Sequence, residues 1–210
     1  MSHTDPYTIS SPDQLYELVG HPLERVITKE LPALDDRATA FISVSPVLVM
    51  ATTGADGSSD ASPKGGPAGF VRVLGPTRLL VPEFPGNRRF DGAQNLVERP
   101  GIGLLFVVPG ISETLRVNGF ARLTRDPDLL DACAVDGRRP WFAADIEVRQ
   151  AFSHCAKAFL RSELWKPESW PADDAVASPS RIIGEQAKQE RRRDSEVRRE
   201  VEAAYRPELY

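Results

Sequence analysis

Val47–Val71 reads VLVMATTGADGSSDASPKGGPAGFV, and its pattern decides the architecture. Val47 to Thr53 is an apolar β run, Gly54-Ala55-Asp56-Gly57 is a hairpin turn, and Ser58 to Ser62 returns beside the first run. The glycine-rich segment that follows, Asp60 to Val71, carries chemistry as well as conformation. Ser62 brings a hydroxyl and Lys64 a charge. Gly65 and Gly66 leave consecutive N–H groups unshielded, which suits a phosphate or a ring carbonyl. Gly- and Pro-rich connections between strands are also ordinary turns, so the meaning of this one depends on its neighbours.

Working outward, short strand patterns dominate. Gly69 to Leu74, the turn at Gly75-Pro76, and Arg78 to Val81 form a second hairpin. Ile102 to Val108 and Thr114 to Thr124 are separated by Pro109-Gly110, and Ile146 to Phe152 is the last strand. Helices are smaller. Ser11-Pro12-Asp13-Gln14 starts one that Gly20 and Pro22 end, Asp35 or Asp36 starts another through Ile42, and a third spans Phe90 to Arg99 before Pro100. Asp126-Pro127 caps a fourth to about Ala134, and a fifth is expected from His154 to about Glu163. The chain is thus mainly β (α+β), with six or seven mostly antiparallel strands. A closed or partly closed barrel is the economical way to remove the edges of such a sheet.

The bulk composition sets limits. With 210 residues, 41% of them apolar, the chain can bury one full core. A net charge of −4 from 26 basic and 30 acidic residues gives no general attraction to nucleic acid or to an anionic membrane. No run reaches the roughly 18 apolar residues of a membrane span, and Met1 to Ser10 lacks a signal-peptide core, so a cytoplasmic protein is expected. Cys133 and Cys155 show neither C-x-x-C nor Cys/His ligand spacing, which suggests no disulfide framework and no metal site; both read as small buried residues. Arg181 to Arg206 mixes eight basic and six acidic residues over a thin apolar stripe, Val197, Val201 and Ala204. It reads as a solvated helix with a narrow docking seam rather than a nucleic-acid arm. The domains expected are a helical extension over 1–40, a strand-rich domain over 41–166 and a polar helical extension over 167–210.

Two further groups of residues bear on function. Pro85-Gly86-Asn87-Arg88-Arg89 stands immediately before a helix, where two guanidiniums, an amide and free N–H groups converge, an arrangement suited to phosphate. In HCAKAFLRSELW, His154 to Trp165, a helix would align His154, Lys157 and Arg161 as a basic stripe with Trp165 one turn further on. His154 and Cys155 are adjacent and point about 100° apart on a helix, so they form no local nucleophile and base pair.

At these residues the chain resembles the pyridoxamine 5′-phosphate oxidase-related FMN-binding proteins, the flavin-binding split-barrel group. The resemblance spans about Phe41 to Trp165. It lies in four pieces in order: DASPKGGPAGFV, RLLVPEFPGNRRFDGAQNLVERPGIGLLF, ETLRVNGFARL and HCAKAFLRSELW. It implies a six-stranded antiparallel split β-barrel with flanking helices, in a homodimer that binds FMN at the subunit interface. Ser62, Pro63, Lys64 and Gly65 match the flavin-contacting strand of the group. Asn87, Arg88 and Arg89 match its phosphate-binding turn, with Asn95 on the following helix. Arg116 and Asn118 match a strand facing the cofactor from the partner subunit, and Lys157, Arg161 and Trp165 match a late segment near the flavin.

The function this implies is an FMN-dependent oxidoreductase acting with a small-molecule substrate or electron donor. Lys64 and the N–H groups of Lys64 to Gly66 would face the charge that develops on the ring, and Arg88 and Arg89 would anchor the phosphate. True pyridoxamine phosphate oxidases carry an Arg-x-His substrate motif near the C-terminus. This chain has no histidine after His154, which argues against vitamin B6 synthesis. Two other functions remain open: a flavin-binding module that stores or senses without turnover, and a haem or deazaflavin binder on the same scaffold, for which His154 is the histidine of the strand-rich region.

Overall fold

The strand pattern folds into one antiparallel sheet, described here from a computed structural model that covers residues 5, 7–86, 88–172 and 175. The first hairpin pairs β1 (Val47–Thr53) with β2 (Ser59–Gly65) in continuous register from Val47↔Gly65 to Thr53↔Ser59. Its turn is closed by Gly54 N–H donating to the Ser58 carbonyl at 2.8 Å and by Gly57 at φ 86°, a left-handed position that glycine adopts freely. The remaining strands are β3 (Arg72–Gly75), β4 (Arg78–Glu83), β5 (Gly101–Val107), β6 (Thr114–Thr124) and β7 (Phe142–His154). They assemble in the order β2-β1-β5-β6-β7-β4-β3.

That order corrects the strand count. The sheet has seven strands rather than six, and strand pairing does not close it into a barrel. β3 is four residues long and pairs only with β4, so it forms one edge while β2 forms the other. Short strands and a proline are usual ways to blunt such edges, and β2 carries Pro63.

Alternation along the strands builds the core. Leu48 and Met50 of β1, Leu104 and Phe106 of β5, Val117 of β6 and Ile146 of β7 are all buried in one cluster. The opposite sheet face stays partly exposed, as period-2 alternation requires. β6 and β7 slip register between Asn118 and Gly119. Only glycine fits there, because a Cβ on Gly119 would lie 2.1 Å from the Glu147 carbonyl oxygen.

The described residues up to Glu30 and those from Leu31 onward form separate compact units. The first holds α1 (Pro12–Val19), whose N-cap Ser11 accepts from Gln14 N–H and whose end is Gly20, and α2 (Glu24–Ile27). The second holds the sheet with α3 (Asp36–Val44), α4 (Asp91–Glu98), α5 (Pro127–Ala132) and α6 (Lys157–Arg161). Among the described residues no helix is long and apolar enough to cross a membrane. The mixed-charge segment 181–206 lies outside the described residues.

Candidate functional site

The segment first read as a glycine-rich anion loop is largely strand. β2 continues through Pro63 and Lys64 to Gly65, and alternation puts Asp60, Ser62 and Lys64 on the inward side, with Ala61 and Pro63 turned outward. The Gly66 N–H is not open to a ligand, since it donates to the Pro46 carbonyl at 3.0 Å. What β2 offers the interior is therefore a row of side chains, and the Gly66 amide is not among its free donors.

The sheet curls until this row faces the far strands. Lys64 Nζ meets Glu83 Oε2 of β4 at 2.5 Å, an ion pair that bridges the two arms of the open sheet. Beside it, Asp60, Ser62, Pro63, Lys64 and Glu83 share a cleft of about 310 Å³ with residues Gly86 to Ala93 of the turn and α4. Ligand sites commonly occupy such volumes. Ser62 and Lys64 are thus brought together with Arg88 and Arg89, as the sequence reading expected. Asn87, expected on the same turn, lies outside the described residues.

The turn has its own local logic. Arg88 and Phe90 both have left-handed backbone, at φ 59° and 54°, which costs side-chain-bearing residues roughly 1–2 kcal/mol each. Phe90 is held there by edge-to-face contacts with Trp141 and Phe142, and the Arg88 guanidinium lies over the Trp141 ring, 5.8 Å from its centroid. Arg89 pairs with Asp91. The N-cap Phe90 makes no side-chain hydrogen bond to α4, so no cap competes for the first-turn amides, and their dipole favours an anion at the lip of the cleft. Gly92 lets this first turn approach the sheet: a Cβ there would lie 2.8 Å from Met50 Cε and 3.2 Å from Asp60 Oδ2.

Other expected residues stand elsewhere. Asn95 points to β1, its Nδ2 donating to Thr52 Oγ1 at 3.0 Å, which fixes α4 on the sheet. Gly65 lies past the cleft at the end of β2. Arg116 and Asn118 occupy the outer sheet face, in cross-strand rows with Leu105 and Gly103. Arg116 stacks over Phe152 at 5.4 Å and Asn118 donates to Gln150 at 2.6 Å. They cannot reach this chain's own cleft, which opens on the other face.

The late segment is corrected. His154 is the last residue of β7, paired with Thr114, and α6 begins only at Lys157. His154, Lys157 and Arg161 therefore do not form one helical stripe, because β6 holds the chain extended where a helix was expected. Trp165 follows α6, stacks on Phe159 and donates its Nε1–H to the Ile111 carbonyl at 3.0 Å. None of Lys157, Arg161 and Trp165 lines the cleft. Of the cysteines, Cys133 is buried and Cys155 is exposed rather than buried.

Among the cleft residues that sequence reasoning did not assign are Asp60 and Glu83. Asp60 was legible, since it stands two and four residues before Ser62 and Lys64 on an alternating strand. Glu83 had no local signal. Asp60 Oδ2 and Ser62 Oγ are buried and have no hydrogen-bond partner among the described residues.

Comparison with known proteins places residues 34–160 in a match to the family model for pyridoxamine 5′-phosphate oxidase. Among solved structures, HupZ of Group A Streptococcus is 18% identical, with a TM-score of 0.47 over 57% of this chain and 93% of that one. A FAD-binding protein from Mesorhizobium loti is 14% identical, with a TM-score of 0.41 over 59% and 97%. An F420 reductase is 13% identical, with a TM-score of 0.42 over 56% and 98%. No curated protein matches this chain.

Proposed function

This chain belongs to the pyridoxamine 5′-phosphate oxidase family, and on that premise we propose that it binds FMN in the β2–α4 cleft and acts as an FMN-dependent oxidoreductase on a small molecule. One observation carries the proposal: the curl of the sheet gathers Ser62 and Lys64 with Arg88, Arg89 and the uncapped start of α4 in a single cleft. The residues fit the group. Arg88, Arg89 and the first-turn amides suit its phosphate, and buried polar atoms without partners mark where a polar ligand belongs.

When bound, FMN supplies hydride and electron transfer at its ring. The protein's part is to bind and orient. An ammonium has three donors, so pairing with Glu83 aims Lys64 and leaves donors for the ligand. The same pairing offsets the lysine's charge, so Glu83 is a positioning residue that moderates how strongly Lys64 favours negative charge in the cleft.

The site is completed in this reading by a second copy of the chain. Arg116 and Asn118 lie on an outer face that also exposes Val49 and Phe120, an apolar surface suited to an isologous dimer. Lys157, Arg161 and Trp165 would approach the ligand only from such a partner.

The test is direct. Purified protein should be yellow, release FMN on denaturation, and run at twice the chain mass in solution. Colourless protein that takes up no added FMN overturns the cofactor assignment. Bound FMN that neither NADH, NADPH nor a reductase reduces would replace the oxidoreductase with a flavin carrier.

A further inference from the structure

The turn that leads into α4 is shaped by a distant part of the chain. Arg88 and Phe90 both hold left-handed backbone, a conformation that side-chain-bearing residues leave unless their surroundings keep them there. What meets this turn is the start of β7. Phe90 packs edge-to-face on Trp141 and Phe142, with ring centroids 5.8 and 5.6 Å away, and the Arg88 guanidinium lies over the Trp141 ring. The aromatic base is itself fixed. Trp141 N–H donates to the Glu83 carbonyl at 2.9 Å, Phe142 of β7 pairs with Glu83 of β4, and the preceding Pro140 is buried. Glu83 thus serves both sides of the cleft, holding Lys64 with its side chain and Trp141 with its backbone.

Arg88 lines the cleft, whereas Trp141 does not. A guanidinium is planar, so stacking uses its face while its N–H donors lie in the plane and point away from the ring beneath. Arg88 can therefore rest on the indole and still present donors to an anion. An arginine gives up side-chain freedom when it closes on a ligand, and one already held on an aromatic face gives up less.

We propose that Trp141 is a positioning residue for the lip of the cleft: it stacks Arg88 and, with Phe142, clamps Phe90, so that affinity for an anion there is set in part by a side chain that never touches it. This rests on the reading of Arg88 as a phosphate ligand. The role requires a π face under the guanidinium rather than apolar bulk. Trp141→Phe keeps part of that face, and Trp141→Leu keeps bulk without it.

The experiment is a double-mutant cycle on the full chain, with FMN and riboflavin as probes in equilibrium titrations. Trp141→Leu should weaken FMN about threefold to fivefold, the range of a solvent-exposed cation–π contact, and leave riboflavin, which has no phosphate, unchanged. Trp141→Phe should recover part of the loss. In an Arg88→Ala background, Trp141→Leu should cost nothing further, because a residue that acts only through Arg88 has nothing left to position. Thermal unfolding of each variant checks that it is folded. A tryptophan that merely supports the fold would weaken FMN and riboflavin together and keep its effect in the Arg88→Ala background. Either of those results, or FMN affinity unchanged in Trp141→Leu, overturns the proposal while leaving the flavin assignment standing. If no flavin binds the wild type, the flavin reading fails and the same cycle is read with inorganic phosphate: a Trp141 effect that vanishes in the Arg88→Ala background upholds the positioning role. Phosphate that does not bind, or binds without regard to Trp141, overturns that role too.

Discussion

Two clusters of charge sit on this sheet, and they are finished differently. On the outer face, Asp145 of β7 is buried between Arg78 of β4 and Arg122 of β6. Arg78 donates to both carboxylate oxygens at 2.8 and 3.0 Å, and Arg122 donates twice more to Oδ2 at 3.0 and 2.9 Å. In the cleft, Lys64 and Glu83 are paired, yet Asp60 Oδ2 and Ser62 Oγ find nothing among the described residues. A buried charge with both oxygens hydrogen-bonded to guanidiniums on neighbouring strands ties those strands together. One left open spends stability on something outside the chain. On the proposed reading, the difference separates a structural ion cluster from a binding site more sharply than composition does, since both hold arginine and aspartate.

The largest effect that tests this contrast is at the cleft lip. Arg88→Ala should weaken FMN roughly tenfold to a hundredfold, from the ~1.5–3 kcal/mol that a hydrogen bond to a charged group contributes, and leave riboflavin, which has no phosphate, nearly unaffected. A fluorescence titration decides it, and equal affinity in the variant breaks the phosphate assignment. Next is Asp145→Asn, expected to cost about 1–3 kcal/mol in denaturant unfolding with FMN binding intact. Loss of FMN with stability preserved would reverse the roles given to the two clusters.

A pH series sharpens the same comparison. Hydrogen bonds from Arg78, and secondarily from Arg122, hold the Asp145 carboxyl below its ordinary range against the opposing effect of burial. Its folded pKa therefore lies below the unfolded value, about 3.9, so its contribution is fully present above that pH and is lost as pH falls through the folded value. The stability gap between the wild type and Asp145→Asn should be constant near neutrality and close only below about pH 4. The smallest effect is expected from Glu83→Gln. The pair is largely buried, but Gln keeps an acceptor for Lys64, so the change should cost about 1 kcal/mol, and any marked change in the potential of bound flavin would report the cleft rather than the fold.

Much of this was readable locally. Val47–Thr53 was bounded to the residue, α1 between Ser11 and Gly20 followed from its caps, and Arg88 and Arg89 stood before α4 as the turn chemistry requires. The failures have physical causes. His154 belongs to β7 because pairing with Thr114 on β6 overrides a helical local pattern. The count of six came from the family resemblance, whereas the local pattern already held a strand at Gly69 to Leu74, which the structure shortens to Arg72–Gly75. Gly66 looked available as a donor until the chain folded back and gave it the Pro46 carbonyl.

By itself, the sequence determined which segments extend, where they turn, and which side chains can hold an anion, because alternation, caps and glycine or proline punctuation act over a few residues. Only the tertiary structure decided that Lys64 would face Glu83 and that Asp60 Oδ2 and Ser62 Oγ would be buried with no hydrogen-bond partner among the described residues. Those facts depend on how far an open sheet curls and on which arms it brings together, and that is set by packing across the whole core rather than by any local run of residues.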